Sequence, residues 1–538
     1  MLPPLPRRML TSVAAIAALS ATALFAPPVS ASPHGDGSLP LGSPGLTETR
    51  TTKTLQPGVT LTKIVRGEPD PSDFWTIEVA IPANGSPDPD APTTALSSRS
   101  EAEQTADHLR DDGLDVRVEK VTTPATADYA PGTLGWRVRV GQYSSKDEAS
   151  GDLATVHDAG FSGSAVFTGW DGAADRGPWH IDVLTIDPKL FRGRLVASYG
   201  PDIERRERTS ELSAALSATA GVNAGFFVLD PAAGAPGDPA GLGVYGGRLL
   251  SEATNGRPTF TVHADARHGS VTRYAWHGSV HGKHGSRLSL DGVDRKPGLI
   301  RNCGGTPDDQ PTARPLHDVT CTDPDEAIRF TPQYGTSTPA GPGVEAVFDE
   351  HGRVVAMRSP RGGALPAGGG SVQATGSDAA ELRAIAHVGA RLRFTDRLTD
   401  ASGKTVHPRR STYVVNGAPV LVRDGRLHVT PRRDGIVHPG DPSFYYSWAH
   451  KRNPRTITGI DAHGRVVLVT ADGRSTASLG LSITESGQVA KALGLREAIN
   501  LDGGGSTTMV VDGRVINDPS DATGERPIGD ALLVLPHR

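Results

Sequence analysis

Gly135-Trp136-Arg137-Val138-Arg139-Val140 and, earlier in the chain, Phe74-Trp75-Thr76-Ile77-Glu78-Val79 carry one pattern twice. Both alternate apolar and polar residues, the period of a strand with one buried face. Each is followed by a helical stretch, Ser100-Glu101-Ala102-Glu103 through Leu109 after the first and Ser145-Lys146-Asp147-Glu148-Ala149 through Leu153 and Val156 after the second. In both, a serine is placed as N-cap and acidic residues fall in the first turn, where they suit the positive end of the helix. Gly113-Leu114-Asp115-Val116-Arg117-Val118 and Gly160-Phe161-Ser162-Gly163-Ser164-Ala165-Val166-Phe167 supply the returning strands. Two βαβ units predict a small ferredoxin-like βαββαβ module over residues 73–170, with both helices on one face of its sheet.

Outward from the module, the N-terminal side divides into three parts. Arg7 and Arg8 precede an apolar run from Met9 to Phe25 that ends in prolines and Val29-Ser30-Ala31, so residues 1–31 are expected to be a secretory signal peptide. No later stretch has the roughly 18 uninterrupted apolar residues of a spanning helix, so no transmembrane anchor is expected after cleavage and the protein is expected to be secreted, extracellular or wall-associated. Residues 32–50, rich in Gly, Ser, Pro and Thr, read as a disordered linker. Residues 51–72 hold a first strand, with Val59 and Leu61 in alternation and Ile64 after a slip. On the C-terminal side, His180-Ile181-Asp182-Val183-Leu184-Thr185-Ile186 opens a larger domain over 175–538, to which the Val59 strand is expected to belong, making the module an insertion.

The chain has 538 residues, with 55 basic and 60 acidic side chains and a net charge of −5, which leaves no basic footprint for nucleic acid. Gly 64 and Pro 43 predict many turns and short strands. The expected class is α+β: a strand-rich, mixed-sheet catalytic domain beside the βαββαβ module. Cys303 and Cys321 are the two cysteines, and an even count in an exported chain favours a disulfide between them.

Four segments carry the residues suited to chemistry. Helix is expected from Arg205 to Ala220, running into Asn223-Ala224-Gly225-Phe226-Phe227, where small residues permit a close backbone approach and the Asn223 amide can donate and accept. Asn500-Leu501-Asp502-Gly503-Gly504-Gly505-Ser506-Thr507-Thr508 reads as a strand end entering a glycine-rich turn. Three consecutive glycines let amides converge on an anion, Ser506 and Thr507 add hydroxyls, and Asp502 is suited to act as acid, base or metal ligand. No Lys follows the glycines, so this is not a Walker loop. Glu485, three residues after Ser482, fits either a capping box or a catalytic carboxylate. Asn416-Gly417, Asp424-Gly425, Asp472-Gly473 and Asp512-Gly513 read as hairpin turns.

Two resemblances follow from these residues. The stretch centred on Gly135-Trp136-Arg137-Val138-Arg139-Val140-Gly141-Gln142-Tyr143-Ser144-Ser145 resembles the sporulation-related repeat (SPOR) domain, which implies peptidoglycan binding. Asn223 to Phe227, then Asn453-Pro454-Arg455-Thr456-Ile457-Thr458-Gly459-Ile460-Asp461, then Leu481 to Glu485, then Asn500 to Thr508 occur in the order seen in the phosphodiester glycosidase family, which they resemble.

The second resemblance implies hydrolysis of sugar-1-phosphodiesters in envelope or extracellular glycans, releasing sugar and phosphomonoester. It nominates Arg455 to clamp the phosphate, with Asp502 and then Glu485 as the carboxylate. Asn223, Gly225, Asn416, Asn500, Gly503, Gly504, Gly505, Ser506 and Thr507 are the expected substrate-binding residues. No cofactor is required; Asp502 and Asp461 are suited to help hold Ca²⁺, but no calcium-loop pattern accompanies them. The expected partner is peptidoglycan or a phosphorylated envelope glycan. The other readings are a wall-anchored glycan-binding protein without turnover and an exopolysaccharide assembly factor. The joint presence of Asn223, Arg455, Glu485 and Asp502 favours the enzyme.

Overall fold

The computed structural model describes residues 37–81, 94–172, 175–254, 256–301, 308–311, 320–438 and 440–537. The expected signal peptide over residues 1–31 and Cys303 lie outside them. Among the described residues no helix is long and apolar enough to cross a membrane.

Strand-rich mixed sheets confirm the α+β class. The central element is an eight-stranded sheet in the order 48–56, 59–66, 179–186, 466–471, 455–461, 495–500, 420–423 and 426–427, antiparallel throughout. The Val466–Ala471 strand explains its depth: every residue is buried, and alternate side chains enter different cores. Val466 and Leu468 face a five-stranded sheet built from Arg194–Ser198, Ala220–Asn223, Met509–Val511, Arg514–Val515 and Ala531–Leu535. Val467, Val469 and Ala471 face the Ile483–Ala492 helix and the aromatic segment around Tyr445 and Tyr446. A strand covered on both faces reads as a continuous apolar run and shows no alternation.

Val59–Arg66 pairs antiparallel with Trp179–Ile186, from Val59 opposite Ile186 to Arg66 opposite Trp179. The repeat module is therefore inserted between two neighbouring strands of the central sheet. No slip interrupts this strand: Val59 and Leu61 enter one core and Ile64 the other, which in sequence imitates a change of register.

The module is a four-stranded antiparallel sheet in the order 116–123, 132–143, 75–80, 162–167. Ile77, Val79, Val138 and Val140 pack under its helices. The first helix spans Arg99–Asp111, two residues earlier than the Ser100 start implies, because Ser98 and Glu101 form the capping box. The second begins only at Ser150, without a side-chain cap; Ser144 and Ser145 instead organise the turn that precedes it through Glu148.

Other expectations need correction. Within the expected linker 32–50, Leu39 and Leu41 are completely buried against Ile64 and Trp179, and a strand starts at Glu48; two leucines in a Gly- and Pro-rich stretch suffice to anchor it. The helix expected over Arg205–Ala220 spans only Thr209–Ala215, since Ala220 onward is strand. Asp424-Gly425 and Asp512-Gly513 are two-residue hairpins with positive φ at both positions. Asn416-Gly417 is not, because it carries the chain from one sheet to another, and Asp472-Gly473 opens the loop that leads to the Ile483–Ala492 helix.

Candidate functional site

The ends of four strands, Ala220–Asn223, Arg455–Asp461, Leu495–Asn500 and Met509–Val511, converge on the loop Asp502–Thr508. Asn223, completely buried, is the bracket between them. Its Oδ1 accepts from Thr456 Oγ1 at 2.6 Å and the Thr508 amide at 3.1 Å, and its Nδ2 donates to the Asp502 carbonyl at 2.7 Å. Its carbonyl oxygen and one N–H are engaged inside the protein, so it positions the loop.

The same holds for several expected contacts. Asn416 Nδ2 donates to the Phe226 carbonyl and its Oδ1 accepts the Phe226 amide. Asn500 Nδ2 donates to the carbonyls of Ala418 and Leu501. A Cβ on Gly225 would stand 2.7 Å from Asn416 Nδ2, so that glycine serves packing. Ser506 and Thr507 are buried to within 1% of complete exclusion, with hydroxyls that meet no partner.

The glycine-rich turn is not a nest of free amides. Gly503 N donates to Asp502 Oδ1 at 2.9 Å, Gly504 N to the Pro454 carbonyl at 2.9 Å, and the Ser506 and Thr507 amides to Gly503 and Gly504 at 3.1 Å each. Its glycines instead make room for arginines. A Cβ on Gly504, at φ +59°, would stand 3.1 Å from Arg474 Nη2, and one on Gly505 would collide with Arg526 and Asp521.

Arg455, the residue expected to grip phosphate, is 4% exposed and directed at backbone. Its Nε donates to the Leu481 carbonyl at 2.8 Å and its Nη2 to Trp448 O at 2.7 Å, so it anchors the 446–453 segment. Burial, then repulsion from Arg474, pulls it down to about 9, against the pull of Glu485. Glu485 is also engaged: it completes the capping box with Ser482 and forks onto Arg452 at 2.8 Å. Burial opposes its ionisation, but Arg452 holds its carboxyl below the usual range.

Sequence reasoning overlooked two residues here. Arg474 is exposed, holds a left-handed φ of +57°, and donates from Nε to Asn453 Oδ1 at 3.0 Å. Left-handed backbone in a non-glycine residue is costly and persists where its surroundings enforce it. Its guanidinium is depressed by burial and then by Arg526, which Asp521 and Asp502 only partly offset. Arg526 is itself paired with Asp521 through two bonds, at 2.7 and 2.9 Å. Asp530 is the second: buried, it accepts from Gly225 N at 2.8 Å and Tyr245 OH at 2.7 Å, and burial with the nearby Asp502 charge raises it to about 6. The clue to Asp530 was a lone carboxylate at the head of the apolar run Ala531–Leu535; Arg474 was hidden by the turn signal of Asp472-Gly473.

Asp461 closes its own turn through His463 and Arg465 and does not join Asp502. Among the described residues, carboxylate oxygens converge within 4.8 Å at Asp291, Asp308 and Asp323, in another part of the domain.

Asp502 and Arg474 thus meet at the glycine turn. The phosphodiester glycosidase family model matches residues 343–535, which hold Asp502, Arg474 and Asp530, and the SPOR domain model matches residues 94–167. The chain thus carries a phosphodiester glycosidase domain and a SPOR domain. Mouse N-acetylglucosamine-1-phosphodiester alpha-N-acetylglucosaminidase is 30% identical over 112 residues, which are 20% of this chain and 21% of that enzyme. The similarity therefore spans about a fifth of that relative. A candidate exported protein of Burkholderia pseudomallei is 31% identical, with a TM-score of 0.82 over 93% of this chain and 98% of its own. A hypothetical protein of Synechocystis shares the fold at 15% identity, with a TM-score of 0.52 over 91% of this chain and 81% of its own.

Proposed function

We propose that this protein is an exported hydrolase that cleaves the glycosidic bond of sugar-1-phosphodiesters in envelope or extracellular glycans. The observation that carries the reading is Arg474, whose guanidinium packs over Gly504 and lines a cavity, close enough to Asp502 and Arg526 to feel both charges. A guanidinium fork fits two phosphate oxygens. A bound phosphodiester would supply an anion to Arg474.

In the proposed reaction the bond between C1 and the phosphate-bridging oxygen breaks and its electron pair leaves with the phosphate. Water adds its oxygen to C1 and gives up a proton to a carboxylate, leaving free sugar and phosphomonoester. Phosphate is a good leaving group, so charge stabilisation by Arg474 contributes more than proton donation. Asp502 is assigned to take the proton or to stabilise the oxocarbenium-like centre, as carboxylates do in most glycosidases. Asp530, behind Gly225, tunes that charge, and Arg455 positions the segment that completes the cleft. A disulfide between Cys303 and Cys321 and a signal peptide over residues 1–31 belong to the same reading.

The test is hydrolysis of an N-acetylglucosamine-1-phospho-alkyl diester by purified wild type and Asp502→Asn. Release of sugar and phosphomonoester by wild type alone supports the reading. Equal activity in the variant refutes the site. An inert wild type that still sediments with cell wall favours the binding-protein reading.

A further inference from the structure

Arg474 does not open onto bare solvent but into a cavity of about 390 Å³ at the seam between the SPOR domain and the glycosidase domain. One wall is the SPOR domain's edge strand and its surroundings, Trp75, Lys146, Val166 and Trp170; the other is Trp448, Lys451, Asn453 and Arg474. The volume falls in the range of sites that enclose a small ligand or one unit of a polymer. We propose that this seam cavity is a glycan subsite: a sugar chain whose phosphodiester lies at Arg474 extends across it, so that the SPOR domain forms part of the substrate cleft. The inference rests on the proposed hydrolysis and names the polymer side of its substrate.

Three observations support it. The lining has the chemistry of sugar recognition, with flat indole faces for the C–H face of a pyranose and cations for neighbouring phosphates. Trp75 and Trp170 stand edge-to-face at 5.5 Å, and Trp448 closes the opposite wall. Trp170 also ties the SPOR domain to the Arg474 loop, donating from Nε1 to the Ser475 carbonyl at 3.3 Å.

The cavity walls are held in place by charge. On the helix-free face of the SPOR sheet, Arg139 pairs with Asp171 at 2.6 Å and Glu78 at 3.0 Å, Tyr446 OH donates to Glu78 at 2.7 Å, and Lys451 reaches Glu78 at 3.1 Å. Leu96, Val121 and Leu134 of the SPOR side join the apolar core of the glycosidase side. Such a junction holds the two walls at fixed spacing without a ligand.

The experiment compares two substrates, N-acetylglucosamine-1-phospho-methyl diester and a tetramer of N-acetylglucosamine joined by 1-phosphodiester links, for wild type, Trp75→Ala and the exposed Lys146→Glu. The inference predicts that kcat/KM for the tetramer falls about tenfold in Trp75→Ala and severalfold in Lys146→Glu, chiefly through KM, while the short diester changes less than twofold. Equal losses on both substrates, or no loss on the tetramer in either variant, overturn it. If wild type cleaves neither substrate, the proposed hydrolysis fails, and calorimetric binding of the tetramer decides the subsite: tenfold weaker binding in Trp75→Ala sustains it, and equal or absent binding overturns it.

Discussion

The chain buries charge in two places, and the two differ in how the charge is balanced. At the seam, Arg137, Arg139 and Lys451 meet three carboxylates, Glu78, Asp171 and Glu119, and the Tyr446 hydroxyl. Burial alone would raise the Glu78 carboxyl, yet Lys451, Arg139 and Arg137 hold it far below its ordinary value, and Asp171 is likewise held down by Arg139 and Arg137. Every partner there is a side chain of the protein. At the glycine turn, Arg455, Arg474 and Arg526 face Asp502 and Asp521, with Glu485 already forked onto Arg452, and Arg455 and Arg474 are lowered by burial and then by a neighbouring arginine. A saturated cluster holds parts together, whereas an unsaturated one has room for an ion from outside.

Breaking the seam should cost stability. Glu78→Ala removes the carboxylate that Arg139, Lys451 and the Tyr446 hydroxyl share, leaves Arg139 to Asp171, and should destabilise the protein by about 3 kcal/mol, read from denaturant melts. Breaking the turn should cost activity. Arg474→Ala should lower kcat/KM for a sugar-1-phosphodiester about a hundredfold, ~3 kcal/mol of transition-state stabilisation, with the melting temperature unchanged. If Glu78→Ala instead abolishes turnover in protein that remains folded, the division between the clusters is wrong.

Acid should separate them by sign. Glu78 and Asp171 have depressed folded values, so their contribution is present above the unfolded carboxylate range and is lost as pH falls below about 4. Asp530 is raised from 3.8 to about 6, so wild type loses stability as pH climbs between those values and the loss is complete above about 6. Asp530→Asn can keep the Gly225 and Tyr245 bonds without titrating. Its stability relative to wild type should therefore improve by up to about 3 kcal/mol between acid and neutral pH, read from melts across that window. A flat difference would contradict the assignment of the raised carboxyl.

The smallest effect is expected at Glu485, which lies between the clusters. Glu485→Gln keeps the cap acceptor but removes the charge facing Arg452, and should cost about 1–2 kcal/mol of stability while changing kcat less than threefold. A larger fall in kcat with unchanged stability would restore Glu485 to the catalytic set.

The repeat module was legible because the second buried face of its sheet is polar: Ile77 and Val79 alternate with Thr76 and Glu78, and Val138 and Val140 with Arg137 and Arg139, so the period survives burial on both sides. The central sheet was harder to read, because strands such as Val466–Ala471 are covered on both sides and lose their period. At the site, the glycine turn and Asp502 stood out as local motifs. The rest depended on contacts between distant segments. Whether Asn223 meets a ligand or Thr456 and Thr508, and whether Arg455 or Arg474 is the open guanidinium, is decided by packing that one segment's pattern does not record. The turn signal of Asp472-Gly473 was also ambiguous, since a tight hairpin and a long functional loop begin with the same two residues.

The central claim is that the glycine turn, and not the seam, lacks an anion. It is tested most directly by the melting temperature of wild type and Arg474→Ala in rising inorganic phosphate at constant ionic strength. Binding to the folded state alone raises stability by RT ln(1 + [L]/Kd). The account predicts that phosphate raises the wild-type melting temperature and leaves that of Arg474→Ala unmoved. An equal rise in both proteins would contradict it.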